Sequence, residues 1–156
     1  YEMIAKFRVF IGIALLSLLA GCASVEMASI EQDNLRKSFS EPSDEKAGLY
    51  LYRNGLLGTA VKRSLSIDGI PVGAPAVKTF FYIEVEPGSR VIATESEFGS
   101  NEVSLNTLPG QNYFVQQYLK MGLLTAGASL KLVSPEEGQK GVLECKLAKS
   151  DYESWQ

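Results

Sequence analysis

The sequence predicts an all-β fold: a small antiparallel β-sandwich with a short C-terminal helix, preceded by a signal peptide and a polar tether. Three observations support this prediction. From Ala47 onward, apolar and polar residues alternate with period two, as they do in half-buried strands. Turn signals containing Gly or Pro interrupt the alternation about every ten residues, which is typical of sandwiches and barrels. Ahead of this region, an apolar leader ends at Cys22.

The N-terminal segment has the features of a secretory signal peptide. Lys6 and Arg8 form a basic region, and the stretch from Val9 to Ala20 is almost entirely apolar. This run is about a dozen residues long, whereas a membrane-spanning helix needs about 20. The pattern therefore favours a cleaved leader over a stable span, and residues 1–21 are assigned to it.

Leu19-Ala20-Gly21-Cys22 resembles the bacterial lipobox at all four positions. The resemblance implies that Cys22 becomes the first residue of the mature protein. It would be anchored in a membrane through acyl chains, palmitate among them. Ala23 is not the aspartate that usually retains such proteins in the inner membrane, so the resemblance implies the outer membrane, with the domain facing the periplasm. The alternative is a coincidental Gly-Cys pair at the end of a core helix.

Residues 22–46 are predicted to be the lipidated cysteine and a polar tether. Fully extended, this tether would reach about 80 Å. It contains one weakly amphipathic stretch with Ser29 as a possible N-cap, and Phe39 is a candidate for docking on the domain. Residues 47–150 are assigned to the β-sandwich and residues 151–156 to a C-terminal tail.

The predicted strands follow one another with short turns between them. IPVGAP contains two prolines, which suits an edge strand or a turn. In the AVKTFFYIEVEPG strand, Phe81, Ile83 and Val85 share one face. The predicted strands span residues 47–53, 59–68, 70–75, 76–88, 89–98, 102–108, 111–121 and 128–134.

The last segment begins as a helix. Ser134 is a suitable N-cap, Pro135 suits the first turn, and the two glutamates that follow lie at the positive end of the helix dipole. Gly138 and Gly141 weaken a helix, so a short helix that continues into an extended tail is expected. Cys145 lies between apolar residues and is predicted to be a buried thiol, with an exposed or reactive thiol as the alternative.

The composition offers little for catalysis. The chain has no histidine, and none of the common catalytic, redox or phosphate-binding motifs appears. No catalytic residue, metal site or cofactor is therefore predicted. The formal net charge of −3 gives no indication of a nucleic-acid partner. The paired acids Glu84/Glu86 and Glu95/Glu97 are interpreted as solvated.

A partner surface is the predicted functional site. Two glycine-flanked loops, GLLG and MGLLTAGA, are apolar where turns are normally polar. Tyrosine and arginine are enriched at binding hot spots. The alternative for the leucines of these loops is that they cap the core. The alternative for the tyrosine and arginine candidates is ordinary packing within the sandwich. The candidate contact residues are Tyr50, Tyr52, Arg53, Tyr82, Tyr118, Leu56, Leu57, Leu123 and Leu124.

Over residues 19–147 the chain resembles a bacterial lipoprotein family of uncharacterised function. The segments that carry the resemblance are LYLYR at 49–53, IDGIPVG at 67–73, VEPGS at 85–89 and PGQNYFV at 109–115. Their layout is also similar to PEGA and transthyretin-like sandwiches, which serve as binding or spacer modules. The resemblance implies no catalytic residues.

Three functions follow as expectations. The first is a non-catalytic, lipid-anchored module at the periplasmic face of the outer membrane that binds an envelope protein. It would be accessory to a larger envelope assembly. The second is a carrier of a small lipid or glycan. The third, with the least support, is a hydrolase that uses carboxylates alone.

Overall fold

The computed structural model describes residues 25–43, 45–59, 61–124 and 126–152, which contain two helices and nine strands. The predicted signal peptide and Cys22 lie outside the described residues. Neither described helix is long and apolar enough to cross a membrane. The helices are α1 (Ile30–Arg36) and α2 (Pro135–Leu143). The strands are β1 (Ala47–Arg53), β2 (Leu65–Ile67), β3 (Ile70–Gly73), β4 (Thr79–Val85), β5 (Gly88–Ser96), β6 (Gly99–Thr107), β7 (Asn112–Met121), β8 (Ala126–Val133) and β9 (Lys146–Leu147).

Two sheets form the sandwich. One has the order β8-β7-β1-β4-β9 and the other β3-β2-β5-β6. The predicted all-β sandwich with a C-terminal helix is confirmed. Two pairs, β1 with β7 and β4 with β9, are parallel, while the other pairs are antiparallel. Period-two alternation fixes which face of a strand is apolar but does not specify its neighbour, so the sequence did not indicate the parallel pairs.

The element boundaries follow the local signals closely at the helices and less closely at the turns. Ser134 accepts a hydrogen bond from the Glu137 amide and caps α2, and Ser29 forms a capping box with Gln32 at α1. The predicted strand over residues 59–68 is reduced to β2, because residues 61–64 form a loop instead. Pro71 lies on β3, which is an edge strand as predicted.

The apolar core has two layers. The inner layer fills the space between the sheets and includes Leu49, Ile67 and Phe81, each with essentially no exposed surface. The outer layer covers the other face of the five-stranded sheet, beneath α2 and the N-terminal segment (residues 25–43). Consequently, all seven residues of β1 are buried, on both faces of the sheet. The outer layer contains Tyr50, Tyr52, Phe80, Phe114, Val133, Val142, Cys145 and Leu147.

The tether prediction is wrong for residues 25–43, because this segment packs on the sandwich. The Asp33 carboxylate accepts a hydrogen bond from the Leu147 amide at 2.7 Å, and the Tyr50 hydroxyl donates to the Arg36 carbonyl at 2.8 Å. The predicted docking of Phe39 is confirmed, since its ring centroid lies 5.5 Å from that of Tyr50. The segment was misread because polar groups, not an apolar stripe, hold most of it in place.

Helix α2 approaches the five-stranded sheet through its two glycines. A Cβ atom at Gly138 would lie 2.2 Å from the Cβ of Phe114, and one at Gly141 would lie 2.3 Å from the Tyr52 ring. The sequence-based argument treated these glycines only as a cost to helix stability. The structure shows that they allow the helix backbone to lie directly on the aromatic outer layer.

Candidate functional site

Three of the predicted contact residues are inside the protein. Tyr50, Tyr52 and Arg53 each expose only 1% of their surface, so their prediction as part of a partner surface is wrong. The physical reason is the outer core layer, since α2 and residues 25–43 cover the face on which the two tyrosines lie. Burial raises the pKa of both phenols to about 12.

Arg53 organises the loop that follows β1. Its guanidinium group donates hydrogen bonds to backbone carbonyl oxygens from two separate segments, and burial lowers its pKa. The acceptors are the carbonyls of Leu57 at 3.0 Å, Gly58 at 2.7 Å, Val61 at 2.6 Å and Pro75 at 3.3 Å. The side chain therefore fixes a chain path and has no surface to offer a partner.

Tyr82 is half-buried and takes part in attaching the N-terminal segment. Its hydroxyl donates to the Glu84 carboxylate at 3.0 Å, and the Arg36 guanidinium lies 4.0 Å from its ring centroid. Burial, reinforced by Glu84, raises its pKa. Glu84 also accepts hydrogen bonds from the Ser43 amide and hydroxyl. Burial opposes the charged form of Glu84, but these bonds outweigh it and lower the pKa.

The four acids considered as pairs have separate structural partners. Glu86 pairs with Lys46, Glu95 accepts a hydrogen bond from the Ser64 amide at 3.0 Å, and Glu84 is bound as described above. Glu97 holds a hairpin, as described below. Within the described part of the chain, no cluster of three or more His, Cys, Asp or Glu side chains could hold a metal ion.

The leucines of the two glycine-flanked loops are exposed at one end of the sandwich. Leu56 exposes 67% and Leu57 52%, while Leu123 exposes 91% and Leu124 85%. Because β1 and β7 are parallel, the loops that follow them leave the sheet at the same end. The alternative, that these side chains cap the core, does not fit this exposure.

Glu97 fixes the second of these loops. Its carboxylate accepts hydrogen bonds from the backbone amides of Leu123 (2.8 Å) and Leu124, and so joins the β5–β6 turn to the β7–β8 hairpin. Phe98 and Met121, which are 73% and 76% exposed, extend the apolar surface. Neither residue is among the contact residues that the sequence predicts, because Phe98 ends the predicted strand 89–98 and Met121 ends the predicted strand 111–121. We call the set Leu56, Leu57, Phe98, Met121, Leu123 and Leu124 the apolar tip.

Tyr118 lies near the apolar tip without belonging to it. It pairs with Ser129 across β7 and β8 and is partly exposed. The ammonium group of Lys120 lies 5.5 Å from its ring centroid, a distance that suits a cation–π contact. Of the five predicted tyrosine and arginine contacts, this residue remains the most accessible for a partner.

Cys145 is buried, as predicted, and burial raises the pKa of its thiol to about 12. We expect the folded Cys22→Ser protein, in which Cys145 is the one remaining thiol, not to react with a thiol reagent at pH 8. The same protein should react fully in denaturant. A Cys22→Ser/Leu123→Cys variant is the matched control and should react while folded. Rapid labelling of native Cys145 would contradict the burial described here.

The chain matches a protein family and is similar to a bacterial relative. Residues 43–129 match the family described as "Protein of unknown function (DUF2846)". A protein of Haemophilus influenzae described as "Uncharacterized protein" is 43% identical over 140 residues, covering 90% of this chain and 82% of the relative. No solved structure matches the chain.

Proposed function

We propose a function from the premise that the chain belongs to the DUF2846 family. The protein is a non-catalytic, lipid-anchored binding module of the bacterial cell envelope in this proposal. In this proposal, Cys22 carries the acyl chains and the sandwich faces the periplasm from the outer membrane. An envelope protein binds the apolar tip. The similarity of the layout to PEGA and transthyretin-like sandwiches supports a binding or spacer role.

The observation that carries the proposal is the ordered exposure of the apolar tip. Isolated exposed leucines are common, but six large exposed apolar side chains at one end of a small domain are not. The two hydrogen bonds to Glu97 hold the backbone of Leu123 and Leu124 in position, so little backbone entropy is lost when a partner covers these residues. The tip therefore has the preorganisation that a protein-binding surface needs.

The lipid anchor is tested by the intact mass of the protein extracted from membranes. We expect a chain that starts at Cys22 and carries added acyl mass, and a Cys22→Ser variant without that mass. An unmodified chain that keeps the preceding residues would contradict the anchor.

The partner surface is tested by site-specific cross-linking in cells. A photoreactive residue at position 123 should yield a discrete adduct with an envelope protein, whereas one at position 132 should not. Leu132 is the matched control because it is also exposed, at 43%, but lies on β8 away from the tip. Changing Leu56, Leu57, Leu123 and Leu124 to serine should remove the adducts formed by a photoreactive residue at another position of the apolar tip. The free energy of unfolding should change by no more than about 0.5 kcal/mol per site. Equal adducts at positions 123 and 132 would contradict the proposal.

A further inference from the structure

The docked N-terminal segment limits how far the domain can lie from its proposed anchor. Val25 packs against the core, Met27 forms a bridge with Ala148, and the Lys149 amide donates to the Glu26 carbonyl at 2.8 Å. Only Ala23 and Ser24 separate Cys22 from Val25. Three residue steps span at most about 10 Å. An acylated Cys22 would therefore hold this side of the domain at the bilayer surface.

The same side of the domain exposes apolar side chains. Met27 is 40% exposed and Ile30, at the start of α1, is 76% exposed. We call Met27 and Ile30 the α1 face. The α1 face lines a shallow hollow of about 450 Å³ together with Leu147, and the charged side chains of Asp33 and Lys146 also line this hollow. Apolar side chains flanked by lysine are typical of surfaces that enter the interfacial region of a bilayer.

We propose that the α1 face lies on the lipid bilayer that holds Cys22 and so sets the orientation of the domain. This inference rests on the proposed lipid anchor. In the sheet order β8-β7-β1-β4-β9, Ala28 donates to the Leu147 carbonyl of β9 at one edge, whereas the β7–β8 hairpin that carries Leu123 and Leu124 forms the other edge. The β7–β8 hairpin would then be separated from the bilayer contact by the width of the sheet, where a partner can reach Leu123 and Leu124.

The test uses the acylated full chain in vesicles of phosphatidylethanolamine and phosphatidylglycerol. An environment-sensitive fluorophore is attached through Ile30→Cys, Leu123→Cys or Leu132→Cys, three exposed positions on different parts of the surface. Cys145 is buried and the acylated Cys22 has no free thiol, so labelling is specific. Urea unfolding of each labelled protein confirms that it is folded.

The fluorophore at position 30 should emit at shorter wavelength, be quenched by nitroxide-labelled lipids and be protected from iodide. Fluorophores at positions 123 and 132 should remain accessible to iodide. Two results with an acylated protein would overturn the orientation but leave the anchor intact. In one, the fluorophore at position 30 is as accessible to iodide as the one at position 132. In the other, the fluorophore at position 123 is the one that the lipids quench. A preparation without acyl mass on Cys22 would overturn both the orientation and the proposed anchor.

Discussion

Replacing Arg53 with methionine is expected to lower the free energy of unfolding by about 2–4 kcal/mol. A hydrogen bond to a charged group contributes about 1.5–3 kcal/mol, and the variant loses four such bonds. Water can hydrogen-bond to those carbonyl groups that lie in the exposed part of the loop, so some of the lost free energy is recovered. The measurement is the midpoint of urea unfolding, with the slope compared to confirm that the same surface is exposed.

Arg90→Met is the matched control for Arg53. Arg90 pairs with Asp68 at 2.6 Å on the surface, where an ion pair contributes about 1 kcal/mol or less. The cross-linking assay separates structural from contact roles. If Arg53→Met unfolded at the wild-type urea concentration but lost the adduct at position 123, the side chain would act in binding, against the structure.

Gly138→Ala is expected to destabilise the protein by about 1–3 kcal/mol, although alanine is the better helix former by up to about 1 kcal/mol. The added Cβ would lie 2.2 Å from the Cβ of Phe114, an atom fixed to the strand backbone that no rotamer change can move. Helix α2 must therefore shift away from the sheet. The free energy of unfolding by urea measures the effect.

Lys140→Ala controls for the change in helix propensity. Lys140 is exposed on the same helix, and its replacement should alter stability by about 0.5 kcal/mol or less. Gly141→Ala should resemble Gly138→Ala, because its Cβ would meet the Tyr52 ring. A Gly138→Ala protein more stable than wild type would show that α2 does not pack as closely as described.

The strands and helix caps could be predicted because their signals are local. Turn residues and period-two alternation placed β1 and β4 to β8, and Ser134 with Pro135 placed the start of α2. The leucines of the apolar tip were identified because apolar residues in a glycine-flanked turn are unusual. Phe98 was missed, since an aromatic residue at the end of an apparent strand carries no such signal.

The second core layer could not be predicted because its contacts are long-range and partly polar. Tyr50 and Tyr52 were read as a surface because alternation assigns a half-buried strand one exposed face. That face is covered by a segment whose attachment depends on groups such as Asp33 and Asn112, which donate to or accept from distant backbone atoms. A polar residue that bonds a distant amide looks the same in sequence as one that bonds water.

The contact between the two ends of the described chain also bears on the order of assembly. Glu26 and Lys149 form an ion pair although 123 positions separate them, and Met27 bridges Ala148. Closing so long a loop costs entropy, so these contacts form after the sheets that bring the ends together. During translation, residue 26 is synthesised long before residue 149. We therefore expect residues 25–43 of a nascent chain to find their binding surface only after β9 and the residues that follow it have been synthesised.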